Sequence, residues 1–154
     1  MSAEQRGPAA LPPPVLYLVA LVVGLLLEQL WPASLMPEHW SNLLGWTFML
    51  VGAGVAVAAF LRFRRAETPF DVRKPATALV TDGPYRLSRN PGYVALTVFY
   101  AGVAFILNSP WVLVMAVPAF LMVDRLIVRR EERHLQQTFG NDYVRYRNSV
   151  RRWI

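Results

Sequence analysis

Cysteine is absent from this 154-residue sequence, and histidine occurs only twice, at His39 and His134. The lack of cysteine excludes disulfides, thiolate catalysis and thiolate metal sites. Two histidines far apart in the chain do not make the donor set of a metal centre, so we expect no bound metal. No Ser-His-Asp arrangement, phosphate-binding loop or dinucleotide fingerprint is present. Function must therefore be sought in other residues.

Apolar residues are abundant instead, at 55% of the chain, which is high for a soluble domain. Segment 43–61 has no charged residue, and about 20 apolar residues span the hydrocarbon core as a helix. Segment 12–31 is nearly as apolar, with Glu28 near its far end and Trp31 as an interfacial aromatic anchor. It is too long for a cleavable signal peptide. We therefore predict an integral membrane protein.

Two shorter apolar runs follow, at 92–107 and from residue 111, separated by the turn triplet Asn108-Ser109-Pro110. The second run can extend to residue 128, because an arginine near a helix end reaches the interface. We predict an all-α fold in a single domain, 1–154, built as an integral membrane bundle of four transmembrane helices. The predicted spans are 12–31, 43–61, 92–107 and 111–128, and 129–154 is a cytoplasmic helical tail.

Small residues recur along the second predicted span. They are Gly45, Gly52, Ala56 and Ala59. Such a stripe lets helix backbones approach closely in a membrane, so it predicts a helix-packing face rather than part of a pocket.

Basic residues are distributed asymmetrically, and the net charge is +6. They cluster between residues 62 and 89 and between 125 and 152, whereas the loops at 31–42 and 108–110 contain none. By the positive-inside rule, both termini are expected in the cytoplasm, for a protein of the inner or plasma membrane. These arginines flank membrane helices and carry no nucleic-acid reader motif, so membrane lipids are the expected partners and nucleic acid is not.

One candidate site lies in the segment 81–93, where turn formers, two arginines and two tyrosines directly precede an apolar run. Asn90 suits an N-cap and Pro91 suits the first helical residue, so a membrane helix is predicted to begin here. The free N–H groups at such a helix end attract anions. A plain loop and helix cap explains the same residues, and the segment alone does not decide between the two interpretations.

A second candidate site is the adjacent pair Glu131 and Glu132. On a helix the two carboxylates point about 100° apart, so we expect one to face the bundle. The other is expected to pair with a neighbouring arginine, namely Arg129, Arg130 or Arg133. A solvated charge run with local salt bridges is the alternative interpretation.

Beyond this pair, Gly140 is placed to end the helix, and Tyr143, Tyr146 and Val150 recur at helical spacing. This spacing predicts an amphipathic C-terminal helix whose apolar face is a lid packed on the membrane surface.

In their order and spacing, these segments resemble the isoprenylcysteine carboxyl methyltransferase and phospholipid methyltransferase group of integral membrane enzymes. The resemblance runs from 77–85 through 89–93, across a helical hairpin, to 131–153. It implies S-adenosyl-L-methionine as the methyl donor and a lipophilic small molecule or lipid as the acceptor. The cofactor-binding residues that it implies are Thr77, Ala78, Leu79, Val80, Tyr85, Asn90, Pro91, Gly92, Tyr93, Glu131 and Glu132.

Within this set, the resemblance implies that residues 77–80 contact the adenosine through their backbone. The cofactor's ammonium suits a glutamate, and its carboxylate suits the helix N-terminus at Asn90. Arg89 and Arg129 are candidate catalytic residues that would hold an anionic headgroup or carboxylate of the acceptor. Both arginines also suit a simpler role as anchors at the membrane interface.

Two positions depart from the prenylcysteine pattern. Asn90 stands where those enzymes have histidine, and Ile127 stands where they have a substrate-contacting arginine. Both departures argue against a prenylcysteine carboxylate as the acceptor. Methylation of a phospholipid amine or a small thiol is the alternative, and a non-catalytic membrane scaffold is the alternative from another class.

Overall fold

The computed structural model describes residues 12–67 and 78–154. These ranges contain helices and turns and no strand. The helices are α1 (Pro13–Leu30), α2 (Glu38–Arg65), α3 (Pro91–Ile106), α4 (Pro110–Met122), α5 (Arg129–Phe139) and α6 (Asn141–Ser149). A 3₁₀ turn lies at Gly83–Arg86, and a π-helical stretch, Val123–Val128, joins α4 to α5. The predicted all-α fold is confirmed.

Three helical runs are long and apolar enough to cross a membrane: α1, α2 and the continuous run Pro110–Phe139. Helix α3 is apolar but shorter, at 16 residues. Helix α2 begins at Glu38 and ends at Arg65, beyond both limits of the predicted span, because polar residues at a membrane surface do not interrupt a helix. The described residues thus form a membrane helical bundle.

Helix α2 packs along α3 in the opposite direction, since Gly45 lies beside Ile106 and Gly52 beside Ala95, and α1 packs along α4. At one end of the bundle, the Ser41 hydroxyl donates to the Phe105 carbonyl at 2.6 Å, and the Ser109 hydroxyl donates to Glu28. Asn108 has a φ of +49° in the turn between α3 and α4, and its side-chain oxygen accepts from the Leu35 amide at 3.1 Å. Hydrogen bonds therefore close this end.

Glycines allow α2 and α3 to approach closely. A Cβ atom on Gly45 would lie 2.7 Å from the Ile106 side chain, and one on Gly52 would lie 2.8 Å from the Ala95 carbonyl oxygen. On α3, a Cβ on Gly102 would lie 2.7 Å from the Met49 amide nitrogen. The predicted helix-packing face is confirmed at Gly45 and Gly52.

The chain after α5 turns back onto the bundle. Gly140, with a φ of +53°, ends α5 as predicted, and α6 follows directly. Tyr143 and Tyr146 are buried, whereas Val150 lies beyond the helix. The Tyr146 hydroxyl donates to the Tyr85 carbonyl at 2.7 Å. The buried face of α6 therefore packs on the 3₁₀ turn, and the prediction that it packs on the membrane surface is corrected.

Candidate active site

A cavity of about 720 Å³ lies where the second end of the bundle meets α5 and α6. Its walls come from the start of α1, the second half of α2, the first turns of α3, residues 78–85, α5 and α6. One part is lined by charged and phenolic side chains, and the other is an apolar groove. The cavity therefore suits a ligand, or a pair of ligands, with polar and apolar parts.

The polar part is organised around the start of α3. Pro91 is the first residue of that helix, so Tyr93 projects from its first turn. The Tyr93 hydroxyl donates to Glu131 Oε2 at 2.8 Å, which joins α3 to α5. The π-helical stretch before α5 changes which side chains of α5 face the bundle, since a π turn contains an additional residue.

Asn90 occupies the N-cap position of α3, but its side chain makes no capping hydrogen bond. Instead its Nδ2 donates to the Arg152 carbonyl at 3.1 Å. The expectation that the Asn90 side chain caps the helix is therefore wrong. The Arg152 carbonyl of the C-terminal segment lies next to the loop before α3, so the Asn90 side chain bonds to that carbonyl and not to the helix.

The two glutamates differ in their partners. Glu132 pairs with Arg89 at 3.1 Å and accepts two hydrogen bonds from Arg152, at 2.6 and 3.1 Å. The expected pairing with an arginine of its own helix is not found among the described residues. The reason is that Glu132 points towards the C-terminal segment and the loop before α3. Its hydrogen bond to Arg152 is the largest influence raising the pKa of that guanidinium.

Glu131 has no basic partner among the described residues, and its hydrogen bond comes from Tyr93. The expectation that one glutamate faces the bundle while the other is paired is thus confirmed, with Glu131 in the first role. The cavity consequently contains one carboxylate whose charge these parts of the protein do not compensate.

Phenols form much of the remaining polar wall. Tyr85, Tyr143 and Tyr146 are buried, and burial is the main influence raising the pKa of each hydroxyl. These hydroxyls therefore stay protonated at neutral pH and act as neutral hydrogen-bonding groups. The Arg89 guanidinium donates to the Tyr143 hydroxyl at 3.4 Å, which ties α6 to the charged wall.

Some buried polar atoms at the site have no hydrogen-bond partner in the part of the chain that the structure describes. Arg89 Nε and His134 Nε2 belong to residues that line the cavity. Asp124 Oδ1, in the π-helical stretch, is a third such atom, although it lies 3.6 Å from Arg152. Unpaired buried donors and acceptors at a cavity are atoms that a ligand can satisfy.

The apolar part of the cavity follows α2 from Gly52 to Phe63, a helical length of about 16 Å. Gly52 and Ala56 line it, and Gly52 also packs against α3, so the expectation that this small-residue face is not part of a pocket is wrong at these two positions. Val57 and Phe60 line the groove and are exposed on the bundle surface, at 57% and 44%. The groove therefore communicates with the region that lipid occupies.

The structure brings together nine of the eleven residues that the sequence predicts for the cofactor. These are Ala78, Leu79, Val80, Tyr85, Asn90, Gly92, Tyr93, Glu131 and Glu132. Pro91 is buried at the start of α3 and does not line the cavity. Thr77 lies outside the described residues. The cofactor contacts themselves stay a prediction.

The two candidate catalytic arginines lie in different places. Arg89 lines the cavity and is 10% exposed. Arg129 is 56% exposed, lies 3.5 Å from Asp124 and is not part of the cavity wall. The geometry therefore gives Arg129 no access to a ligand in this cavity, and only Arg89 remains placed for the predicted role.

Sequence reasoning missed two residues of the site. His134 lines the cavity because it lies one helical turn after Glu131, a spacing of three that could have identified it. Arg152 anchors Glu132, and no local pattern in the sequence identifies that contact, since the two residues are 20 positions apart.

Known methyltransferases are similar to this chain in sequence. The sequence profile of phospholipid methyltransferases matches residues 40–142. Protein-S-isoprenylcysteine O-methyltransferase A of Arabidopsis thaliana is 33% identical over 144 residues, covering 87% of this chain and 71% of the plant protein. A probable protein-S-isoprenylcysteine O-methyltransferase of Oryza sativa subsp. indica is 30% identical over 145 residues, covering 87% and 73%.

Proposed function

The chain belongs to the phospholipid methyltransferase family, and on that premise we propose that it transfers a methyl group from S-adenosylmethionine to a lipophilic acceptor in the membrane. The observation that carries this proposal is Glu131, a carboxylate that faces the cavity without a basic partner among the described residues. A donor with an ammonium group and a sulfonium matches a carboxyl group that no basic side chain of the described residues pairs with.

The other parts of the donor also have matching groups in the cavity. Arg89 Nε is a buried donor without a partner in the described ranges, and it suits the carboxylate of the amino-acid tail. Leu79, Val80 and Leu135 form an apolar cluster that suits the flat adenine ring. The Tyr85 ring suits the sulfonium, since a cation is attracted to an aromatic face. The residues present thus fit S-adenosylmethionine.

When bound, S-adenosylmethionine supplies an already activated methyl group, which an electron pair of the acceptor takes from sulfur in one in-line displacement. The protein needs no nucleophile of its own for this reaction. Its residues align donor and acceptor and exclude water, effects that contribute up to about 7–11 kcal/mol when the geometry is good. The Tyr93–Glu131 hydrogen bond contributes by fixing α3 against α5 at the meeting point of the polar and apolar parts.

The apolar groove is the proposed acceptor site. It reaches the bundle surface at Val57 and Phe60, so a lipophilic chain enters it from the membrane without crossing water. Gly92 and Tyr93 line the same cavity, beside the proposed donor site. The acceptor's polar group would therefore meet the donor while its apolar part remains in the groove.

Two measurements with purified protein in detergent test this function. Isothermal titration is expected to show binding of S-adenosylhomocysteine, the demethylated product. Incubation with radiolabelled S-adenosylmethionine and total membrane lipids is expected to yield a labelled lipophilic product. Absence of binding at high ligand concentration would overturn the donor assignment. Binding without any labelled product would instead support the scaffold alternative.

A further inference from the structure

His134 is a half-buried polar side chain of the cavity that the proposed reaction does not use. It lines the cavity, and its Nε2 is buried without a hydrogen-bond partner in the described parts of the chain. A buried nitrogen left unpaired lowers stability, and most such atoms in proteins have a partner. The described residues thus leave this nitrogen unpaired on a side chain that lines the cavity, and a bound ligand can supply its partner.

The level of His134 along α5 indicates which ligand group that is. His134 lies about 4.5 Å beyond Glu131 along the helix axis, on the side away from α4. Leu135, its neighbour at this level, packs in a cluster with Leu79 and Val80. That cluster is the proposed wall for the adenine ring. A donor whose ammonium meets Glu131 therefore has its nucleoside at the level of His134.

Other polar groups of the cavity are already engaged by the protein. Glu132 is held by two arginines, Tyr93 donates to Glu131, and Tyr146 donates to a backbone carbonyl. A neutral imidazole has one hydrogen-bond donor and one acceptor, which match the edge of adenine and the ribose hydroxyls. Building on the proposed function, we infer that the His134 imidazole hydrogen-bonds the adenosine part of the methyl donor.

Two ligands distinguish the nucleoside end of the donor site from its amino-acid end. S-adenosylhomocysteine carries the nucleoside and the amino-acid tail, whereas 5′-methylthioadenosine carries the nucleoside alone. His134→Ala is expected to weaken both probes by a similar factor, roughly 3- to 10-fold for one neutral hydrogen bond. Glu131→Gln is expected to weaken S-adenosylhomocysteine alone. His39→Ala is the matched control, because His39 is exposed at the opposite end of the bundle and should change neither affinity.

Distinct outcomes would overturn the inference. If both probes bind His134→Ala with unchanged affinity, His134 does not contact the donor. If only S-adenosylhomocysteine binds more weakly, the contact is with the amino-acid tail and not with the adenosine. Normal binding of both probes with lost methylation would place His134 at the acceptor. If His134→Ala does not fold, His134→Leu fills the space without hydrogen-bonding and gives the same readout. Failure of wild-type protein to bind either probe would refute the proposed function itself.

Discussion

Arg152 holds Glu132 with two hydrogen bonds, from Nη2 to Oε2 at 2.6 Å and from Nε to Oε1 at 3.1 Å. The backbone carbonyl of Arg152 also accepts hydrogen bonds from Ser88 and Asn90, at 3.2 and 3.1 Å. One residue thus fixes a carboxylate on α5 and the loop that begins α3. The charged wall of the cavity depends on this connection, although Arg152 itself is not part of that wall.

The first prediction follows from this connection. Arg152→Met is expected to lower the free energy of unfolding by about 1–3 kcal/mol, less than for a fully buried ion pair because Arg152 is 33% exposed. It should also weaken S-adenosylhomocysteine binding, since Arg89 and Glu132 lose their fixed positions. Thermal unfolding and isothermal titration measure the two effects. Arg151→Met is the control, because the Arg151 side chain is exposed, and an equal effect of both substitutions would contradict the prediction.

The second prediction distinguishes the two glutamates. Glu131→Gln removes the charge that faces the ligand, so donor affinity should fall by about 1.5–3 kcal/mol with little change in unfolding temperature. Glu132→Gln leaves the 10%-exposed Arg89 short of its partner, so it should chiefly lower protein stability, by about 3–5 kcal/mol. Titration and thermal unfolding of both variants provide the comparison. Equal changes in donor affinity and in unfolding temperature for the two variants would show that Glu131 and Glu132 do not have separate roles.

The third prediction concerns the contact between α2 and α3. Gly52→Ala places a methyl group 2.8 Å from two backbone atoms of α3, so it should destabilise the protein by about 1–3 kcal/mol. Gly54→Ala, two residues along the same helix, meets nothing within 4 Å and should be neutral or slightly stabilising. Thermal unfolding in detergent measures both. Equal stability of the two variants would show that α2 and α3 move apart to accommodate the methyl group at little cost in free energy.

The sequence was sufficient to predict the apolar helices, and nine of the eleven residues that it indicated for the cofactor line the cavity. Hydropathy fixed the number of apolar helices, and Gly140 and Pro91 marked helix ends correctly, because these signals are local. Helical periodicity also separated Glu131 from Glu132. The helix ends and the different directions of the two glutamates depend only on local backbone geometry, which a single segment of the sequence determines.

Contacts between distant segments could not be predicted in the same way. Glu132 lies 43 positions from Arg89, and its own helix offered arginines nearer in sequence. Which arginine pairs with Glu132 depends on how the C-terminal segment folds back onto the bundle. Trp153 helps to hold this segment in place by packing on Phe120, with ring centroids 4.6 Å apart. Likewise, the exposure of Arg129 depends on the π-helical stretch, which periodicity at 3.6 residues per turn does not reveal.

The fourth prediction concerns orientation in the membrane. The positive-inside rule predicts that both termini lie in the cytoplasm. A cysteine at Ser34, which is exposed between α1 and α2, should therefore react with an impermeant thiol reagent on intact cells. One at Ser149, exposed at the end of α6, should react only after the cells are opened. The reverse pattern would place the cavity outside, away from cytoplasmic S-adenosylmethionine, and would contradict the proposed function.

The last prediction concerns the acceptor. Ile127 is 3% exposed within the helix core and does not line the cavity, so the position where prenylcysteine enzymes carry an arginine does not face a ligand here. We therefore expect no methylation of N-acetyl-S-farnesylcysteine above a heat-inactivated control, whereas a component of membrane lipid extract should be labelled. Ile127→Arg should not create the missing activity, because a cation forced into this core lowers stability first.

Radiolabel transfer to each acceptor, followed by extraction and chromatography, measures this difference. Robust methylation of the farnesylcysteine analogue by the wild type would contradict the prediction. Arg89 would then be the candidate for the acceptor's carboxylate in place of the donor's, because its side chain lines the cavity and its Nε has no partner among the described residues. In that case Arg89→Lys, which keeps the charge but loses the planar fork, should raise the KM for the analogue.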